Sequence, residues 1–478
     1  MTHAPHPSHG RPAHDPDPER ASAELEDLGY TQELRRSMSL TDVVVYGLIY
    51  MVPMAPLAVF GIIYNFSHGM PALVYLVAAF AMVFSALSYK EMAKRFPIAG
   101  SVYSYVRLGL NRFVGFIAGW AILLDYLLLP ALLSVFAAAA MTSIVPAIPE
   151  FVWVIVFVVL AAAINLRGIK LTAGMNMVFL GIQLVVLAVF VVGAVIAVAQ
   201  GRGAFSLDPV FQPSEFSWGI VFGAIPIAAL SFIGFDAIST LNEEAKGGGA
   251  TVSRATMIVL VVVTFLFVVQ VYLASIFVPT GTQFESGDAT NNAFYHIAGS
   301  IIGDWFEILI TLTSALVAIF ANSIASQATS SRLVFSMARD RQLPRFLSKV
   351  SKRRVPQNAL LLIAGLSLVI GIAGTAQQEL LTTLVTFGAL TAYILLNVTV
   401  IAHFGIKERS RRVFLHWISP VIGTLVLGYA LWSANDTAKI IGVGWLVIGA
   451  VIAAVQQSRS RKADTAAASA EAGRPTGN

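Results

Sequence analysis

The stretch SFIGFDAISTLNEEAK, residues 231–246, places a glycine, an aspartate and two glutamates at the end of a long apolar run. Gly234 favours an interruption of a helix, because glycine weakens helices and accepts backbone angles that other residues avoid. Asp236 follows it at a depth where an ionised carboxylate without a partner is costly. The stretch therefore predicts a broken membrane helix. Its carboxylate either caps the amides that the break releases or meets a cation.

The composition of the whole chain supports a membrane location. Of 478 residues, 57% are hydrophobic and 12% are charged, and the mean hydropathy is +0.76. Soluble domains carry about 25% charged residues, so we expect a polytopic membrane protein. The chain contains no cysteine, which excludes disulfides, thiolate metal sites and cysteine nucleophiles.

Apolar segments long enough to cross about 30 Å of hydrocarbon occur at twelve places, and they predict twelve transmembrane helices. These segments lie near residues 40–64, 71–92, 113–142, 151–166, 172–199, 217–243, 254–278, 305–336, 357–374, 380–403, 415–433 and 439–456.

The positions of the basic residues predict the orientation of these spans. Twelve spans put both ends of the chain on one side, and only Arg202 and Lys439 then fall in loops on the opposite side. Because lysine and arginine concentrate in cytoplasmic loops, both termini are expected in the cytoplasm, with the chain in the cell (inner) membrane. Residues 1–36 and 457–478 are expected to be disordered cytoplasmic tails. The net charge of +5 therefore indicates topology and not nucleic-acid binding.

A second helix interruption is expected in the first span, VVVYGLIYMVPMAPLAVFGIIY (43–64), at Pro53. Proline removes a backbone donor and disrupts the turn that precedes it. Interruptions in the first and sixth spans, five spans apart, are typical of transporters with an inverted repeat of five plus five helices. Prolines and glycines also produce ordinary kinks in membrane helices, and the spacing by itself leaves that alternative open.

Two carboxylates are expected deep in the membrane. Asp125 lies about 18 Å along its helix from the cytoplasmic end, and Asp236 about 12 Å, at 1.5 Å per residue. No lysine or arginine is comparably deep, so a cationic ligand or a proton is one interpretation. The alternatives are a helix cap at Asp236 and a hydrogen bond from Tyr126 to Asp125. Glu243 and Glu244 are expected at the cytoplasmic mouth of the site, where solvation competes with ligand contact.

Four stretches carry a resemblance to a known family: SYKEMAKRFPIAGSVYSYVRLGLNRFVGFIAGW (88–120), NLRGIK (165–170), residues 231–246 and SSRLVFSMARDRQLP (330–344). Together they resemble the amino acid–polyamine–organocation (APC) superfamily of permeases, over residues from about 37 to 456. The segments MVPMAPLAVFGIIY, LLDYLLLP and TLNEE most resemble bacterial putrescine importers.

The resemblance implies an all-α integral membrane protein with the LeuT-type fold. Residues 37–403 would form the ten-helix inverted-repeat core, in which helices 1 and 6 are unwound, and residues 404–456 would form peripheral helices 11 and 12. Pro53 and Gly234 would mark the helix breaks. The implied substrate-binding residues are Tyr50, Met54, Asp125, Tyr126, Phe232, Gly234, Asp236, Ser239, Glu243 and Glu244.

Two departures from the amino acid carriers of this superfamily bear on the substrate. Their first-span break is glycine-rich and holds a substrate carboxylate through free amides, whereas Pro53 lacks an amide hydrogen and lies between bulky residues. A fifth-span lysine of several proton-coupled members corresponds here to Gln183. Both departures favour an amine without a carboxylate. Ser323 and Ser326 are candidates for a coupling-ion site, although small hydroxyl residues also serve helix packing.

The expected function is secondary active, alternating-access import of putrescine or a related small amine with a proton as coupling ion. A proton-coupled amino acid symporter of the same superfamily is the alternative, and a channel or a substrate-sensing receptor is a different class. An enzyme is not expected, because the sequence has no Walker loop and no HExxH motif. The expected partners are the substrate, the proton and membrane lipid, with no cofactor, no metal, no nucleic acid and no disulfide-linked partner.

Overall fold

The computed structural model describes residues 37–96, 102–168, 173–339, 343–351 and 355–472. Within these ranges the chain is helical and contains no β-strand, apart from an isolated β-bridge between Met38 and Ala245. The α-helices are α1 (Leu40–Met51), α2 (Phe60–Phe66), α3 (Pro71–Arg95), α4 (Val102–Gly109), α5 (Arg112–Ile144), α6 (Glu150–Leu166), α7 (Ala173–Ala199), α8 (Trp218–Phe232), α9 (Gly248–Ser275), α10 (Asp288–Asn291), α11 (Ala293–Ile302), α12 (Asp304–Leu312), α13 (Phe320–Arg339), α14 (Gln357–Gly374), α15 (Gln378–Val400), α16 (Ser419–Trp432) and α17 (Asp436–Ala472).

Shorter helical turns join several of these helices. They are the 3₁₀ segments Ala55–Val59, Asp236–Glu243 and Arg345–Ser348, and the π segments Thr313–Ile319, Ile401–Lys407 and Phe414–Ile418.

Ten segments in the described part of the chain are long and apolar enough to cross a membrane. They are Leu40–Phe66, Pro71–Arg95, Arg112–Ile144, Met177–Ala199, Gly248–Ser275, Asp304–Arg339, Gln357–Gly374, Gln378–Lys407, Phe414–Trp432 and Asp436–Val455. The predicted fourth and sixth spans correspond to the shorter apolar helices α6 and α8. The prediction of an all-helical, multi-pass membrane protein is confirmed, and the count of twelve spans stays a prediction.

Only part of the C-terminal tail that the sequence predicts lies within the described residues. Residues 1–36 and 473–478 lie outside the described residues. Residues 457–472, expected to be disordered, continue α17 as helix to Ala472. Alanine dominates the end of this segment (AAASAEA), and alanine has the highest helix propensity of the residues. The prediction of disorder weighed the polarity of the tail and not this propensity.

Helix α5 is the central element of the bundle. It packs against α6, α13, α14, α15 and α17, and its apolar span is the most buried in the described structure, at 83%. Its start is capped by Asn111, whose side chain accepts a hydrogen bond from the Val114 amide at 2.9 Å. Close contact with α15 depends on Gly388, because a Cβ there would lie 2.5 Å from the Ala121 carbonyl oxygen.

Pro130 interrupts the hydrogen-bond ladder of α5 without ending the helix. Its missing amide hydrogen leaves the carbonyl of Tyr126, four residues earlier, without its helical partner. The hydroxyl of Ser330 on α13 donates a hydrogen bond to that carbonyl. Freed backbone groups in membrane helices are satisfied by such neighbouring hydroxyls, and the contact fixes α13 against the middle of α5.

Ion pairs connect α3 to the chain around α16 at one end of the bundle. Glu91 is buried, at 5% exposure, and its carboxylate lies 3.2 Å from Nε2 of His416 and 3.6 Å from the Arg412 guanidinium. Arg95 contacts the Glu408 carboxylate at 3.3 Å. We call this the basic end, because it also carries the clusters at residues 90–95 and 407–412.

Gly388→Ala should lower the unfolding temperature of the protein, because its new methyl group must displace backbone of α5; overpacking of this kind costs about 1–3 kcal/mol. Gly365→Ala in α14 is the matched control, since a Cβ at that position meets no atom within 4 Å. Thermal unfolding of both purified variants in detergent measures the difference. Equal unfolding temperatures would contradict the close packing of α5 on α15.

Candidate functional site

The first interruption separates α1 from α2. Helix α1 ends at Met51, and Val52 takes a positive φ of 52° before Pro53. The Val52 carbonyl accepts a hydrogen bond from the Ala55 amide at 2.8 Å, which starts the 3₁₀ turn. The Pro53 carbonyl accepts one from the side-chain amide of Gln270 on α9 at 3.0 Å. Two carbonyls of the break are therefore satisfied within the protein.

The second interruption follows α8. Helix α8 ends at Phe232, Gly234 has a φ of +119°, and the 3₁₀ helix begins at Asp236. The Asp236 carboxylate is 7% exposed. Its Oδ1 accepts hydrogen bonds from the Gly234 amide at 3.2 Å and from the Tyr393 hydroxyl at 3.1 Å. Asp236 thus caps the break, which is one of the two roles that its position predicts.

The two interruptions touch each other. A Cβ at Gly234 would lie 2.6 Å from Cδ1 of Tyr50 on α1, so only glycine allows this approach. The flanking backbone is also paired, because the amides of Ser37 and Met38 donate to the Glu244 carbonyl at 2.9 and 3.0 Å. The segments before α1 and after the second break therefore lie side by side.

Asp125 on α5 is the least satisfied buried carboxylate of this region. It is 3% exposed, and its Oδ1 has no hydrogen-bond partner among the described residues. Within the same residues, no ion pair joins Asp125 or Asp236 to a lysine, an arginine or a histidine. A buried carboxylate in this condition is costly unless a proton or a cation meets it.

Helix α15 connects the two carboxylates. Gly388 packs on the backbone of Asp125, since a Cβ there would lie 3.0 Å from the Asp125 amide nitrogen. Tyr393, which binds Asp236, lies five residues further along the same helix, a rise of about 7.5 Å. One helix therefore contacts both acidic residues and fixes their relative positions.

A small cavity lies beside the first break, with a volume of about 50 Å³. Its lining includes Tyr50 and Val52 from the first break, Leu133 from α5, and Ser231 and Asn322. A buried water requires about 10–15 Å³, and small-molecule pockets begin near about 300 Å³. Asp125 and Asp236 are not among the described lining residues. In this conformation the cavity has room for a few waters, and an organic ligand requires the surrounding helices to move apart.

The structure distributes the other predicted binding residues around this centre. Phe232 packs between the rings of Tyr75 and Phe267, with centroids 6.1 and 5.2 Å away, and does not line the cavity. The Ser239 hydroxyl donates to the Asp236 carbonyl at 2.6 Å. Met54 is buried at the start of the 3₁₀ turn.

The remaining candidates are not among the described lining residues of the cavity. Gln183 is buried on α7 between exposed neighbours, and its Oε1 has no hydrogen-bond partner in the described part of the chain. The Ser323 hydroxyl lies 3.3 Å from that of Ser134 on α5, and Ser326 is buried on the same helix as Ser323. Glu244 is half-buried, and the Glu243 side chain lies outside the described residues.

Two residues that hold the breaks were not predicted from the sequence. Gln270 interrupts the apolar run TFLFVVQVYLAS as a lone amide, and such a polar residue in a membrane span signals a buried partner. Tyr393 lies in TAYILLNV of the tenth span, and nothing local distinguishes it from a packing aromatic residue.

Comparison with known proteins places this arrangement in a family. The sequence pattern of the amino acid permease family matches residues 38–464. The chain belongs to this family, which lies within the APC superfamily, and it is a transporter and not an enzyme.

Its relatives differ in what their names say they carry. The chain is 32% identical over 430 residues, 88% of its length and 93% of the relative's, to the low-affinity putrescine importer PlaP of Escherichia coli. It is 28% identical over 406 residues (79% and 83%) to the branched-chain amino acid permease BcaP of Bacillus subtilis. It is 24% identical over 453 residues (88% and 93%) to the methylthioribose transporter of Bacillus subtilis. The predicted resemblance to APC permeases close to putrescine importers is confirmed.

Gly234→Ala should destabilise the contact between the two breaks, because it combines an unfavourable positive φ with a clash against Tyr50. Gly201→Ala is the matched control: Gly201 also has a positive φ, 75°, but a Cβ there meets no atom within 4 Å. Backbone strain alone costs about 1–3 kcal/mol, so Gly234→Ala should unfold at the lower temperature of the two. Thermal unfolding in detergent tests this, and equal losses would show that Tyr50 does not pack on Gly234.

Proposed function

We propose that this permease imports putrescine or a related small amine by secondary active transport, coupled to protons. The observation that carries the proposal is the buried Asp125 carboxylate, whose Oδ1 has no described partner, close to the helix that also binds Asp236. An ammonium group supplies three donors and a full positive charge. It is the chemical partner that this pair of carboxylates lacks.

In this proposal the chain has the twelve-span, LeuT-type architecture. Residues 37–403 form the five-plus-five inverted-repeat core, helices 1 and 6 are unwound at Pro53 and Gly234, and residues 404–456 are peripheral. Both termini face the cytoplasm at the inner membrane, on the side of the basic end. The inside-negative potential then favours entry of a cation by about 2.3 kcal/mol per charge per 100 mV.

The first break supports an amine over an amino acid. The helix N-terminus that would bind a carboxylate requires free amides, and Pro53 has none. The space beside the break is filled by three buried side chains, each at most 6% exposed: Met51, Val52 and Met54. A substrate without a carboxylate is compatible with this surface.

The two carboxylates take different roles in the proposal. Asp236 is engaged by the Gly234 amide and the Tyr393 hydroxyl, so it holds the break and contributes charge at a distance. Asp125 would pair directly with an ammonium group, and the aromatic faces of Tyr50, which lines the cavity, and of Tyr126, which follows Asp125 in the chain, would favour a cation. Phe232, Ser239 and Glu244 support the site from outside this centre, and Glu243 is assigned to the cytoplasmic mouth from its place in the sequence.

Proton coupling rests on the same residues. Asp125 without substrate is buried away from cations, a condition in which carboxylates take up protons. Import together with a proton requires both ions to be loaded at once, so the ammonium group would pair with Asp125 while the proton occupies another acidic residue of the site. Gln183 cannot titrate, and we assign Gln183, Ser323 and Ser326 to the support of this coupling and not to proton binding.

The alternative is a proton-coupled amino acid symporter, which the similarity to BcaP favours. Uptake of labelled putrescine into proteoliposomes, with unlabelled competitors, separates the two functions. We expect saturable uptake that short diamines inhibit and that leucine, alanine and arginine leave unchanged. Inhibition by amino acids without inhibition by diamines would favour the symporter, and flux that does not saturate would indicate a channel.

Asp125→Asn should reduce putrescine uptake by at least about ten-fold, the loss expected when a charged hydrogen bond worth about 1.5–3 kcal/mol is removed. Asp236→Asn should also reduce uptake although its side-chain oxygen can still accept both hydrogen bonds, because the charge is gone and the cap remains. Glu215→Gln is the control, because Glu215 pairs with His68 at the surface. This variant should transport putrescine normally.

Folding of each variant is checked by its unfolding temperature in detergent. Normal uptake by both aspartate variants would exclude charge pairing as the mechanism. Normal uptake by Asp236→Asn alone would restrict that residue to its capping role.

A further inference from the structure

A second pocket lies at the end of the bundle opposite the basic end. It has a volume of about 330 Å³ and is formed by the end of α2, residues 286–291, residues 375–380 at the start of α15, and Asn435. This volume reaches the range of small-molecule pockets, which begins near about 300 Å³. We call it the acidic pocket, after Glu379 in its lining.

We propose that the acidic pocket is a separate binding site that captures the ammonium group of a small organic cation before it enters the central site. The proposal rests on the proposed function for the identity of the cation, and its own evidence is independent of Asp125 and Asp236. Three features support it: the acceptors in the pocket, the charge of the surrounding surface and the helix that connects the pocket to the first break.

The pocket is rich in hydrogen-bond acceptors. Gln378 lines it and is 5% exposed, and its Oε1 has no hydrogen-bond partner among the described residues. The Glu379 carboxylate accepts a hydrogen bond from the Asn435 amide at 3.2 Å. Asn65 and Asn291 also line the pocket, and the Asn65 side-chain carbonyl already accepts a hydrogen bond from the Phe284 amide at 2.9 Å. An ammonium group, which donates three hydrogen bonds and accepts none, matches these groups.

The surface around the pocket is negative. The acidic residues in the loops and helix ends on this side are Glu150, Asp208, Glu285, Asp288, Asp304, Glu307, Glu379 and Asp436, besides Glu215, which pairs with His68.

The described histidines of this side contact acidic residues, His68 with Glu215 and His296 with Asp288 and Glu307, and the described arginine and lysine are engaged away from the pocket. Arg202 donates to the carbonyls of Ile301 and Ser300 at 2.8 and 2.6 Å. Lys439 pairs with Asp436 at 2.7 Å and donates to the Trp432 carbonyl. A surface of one sign raises the local concentration of small ions of the opposite sign and speeds their association.

One face of the first span links the pocket to the central cavity. Ala58 lines the cavity, and Ile62 and Asn65 line the pocket. These residues follow the spacing of one helix face, so a ligand leaving the pocket moves along that face.

The pocket and the central cavity share no described lining residue. Near the pocket, the ring of Phe60 lies against Phe294 with centroids 5.6 Å apart, and Tyr64 lies against Phe284 at 5.2 Å. Asn65 and Phe284 also exchange two hydrogen bonds of 2.9 Å. A cation in the pocket is therefore bound at a site distinct from the central one.

The absence of native cysteine allows a direct test. Ala376 is exposed in the pocket lining, and Ala376→Cys gives the protein a single thiol. The rate of its modification by the uncharged reagent methyl methanethiosulfonate is measured on purified protein by mass spectrometry. The same measurement is made with the Asp125→Asn change added, so that binding at the central site does not contribute.

We expect putrescine to slow the modification in both proteins, and sodium chloride of equal ionic strength to leave it unchanged. Adding Glu379→Gln should raise the putrescine concentration for half-protection by about ten-fold, the effect of losing a charged hydrogen bond. Glu215→Gln, which removes the same charge elsewhere on this side, should leave it unchanged. The unfolding temperature of each variant confirms that it is folded.

The outcomes separate the pocket from the proposed function. No protection by putrescine, or protection that Glu379→Gln does not weaken, overturns the pocket as a cation site. Protection by sodium chloride also overturns the pocket as a cation site, and so does a loss of protection by putrescine in Glu215→Gln. Either result would show that protection depends on the general charge of the surface and not on Glu379. Protection that persists in a protein that does not transport putrescine keeps the pocket and refutes only the proposed function.

Discussion

A helix that is interrupted inside a bilayer must give its released amide and carbonyl groups new partners, because no water is present to bind them. This requirement determines how both helix breaks of the protein are held. At the first break the Pro53 carbonyl accepts a hydrogen bond from the Gln270 side chain, and at the second the Gly234 amide donates one to the Asp236 carboxylate. Because the partners come from other helices or from the break itself, each interruption is fixed in place and contributes to a polar centre in an apolar bundle.

This arrangement explains why the two membrane carboxylates are not equivalent. Asp236 is held by the backbone it caps and by Tyr393, whereas Oδ1 of Asp125 has no described partner. Gly388 brings α15 against Asp125, and Tyr393 of the same helix reaches Asp236. A movement of α15 relative to α5 would change the environment of both acids together, which is a physical route for coupling substrate binding to a change of conformation.

Much of this could be predicted from the sequence. Pro53 and Gly234 locate the interruptions because both residues have backbone requirements that do not depend on distant contacts. Asp125 and Asp236 stand out because charge is costly in an apolar span. The partners Gln270 and Tyr393 could not be assigned, since an amide or a phenol in a membrane helix signals a contact but not its identity.

Other features depend on packing that the sequence does not encode locally. Phe232 is a predicted substrate-binding residue, but its ring packs between Tyr75 and Phe267, and this position depends on how α3 and α9 pack against α8. The acidic pocket is formed by residues more than 300 positions apart in the chain, such as Asn65 and Asn435. The continuation of α17 to Ala472 follows from the high helix propensity of alanine, but the polar composition of the tail favoured a prediction of disorder.

A structure of the protein with putrescine bound would show directly whether Asp125 pairs with the substrate. We predict one ammonium group within about 2.7–2.9 Å of an Asp125 oxygen, the usual distance for a charged hydrogen bond. Asp236 should still accept from Gly234 and Tyr393 in that structure. Putrescine bound away from Asp125, or an amino acid whose carboxylate lies on the amides of the first break, would contradict the account.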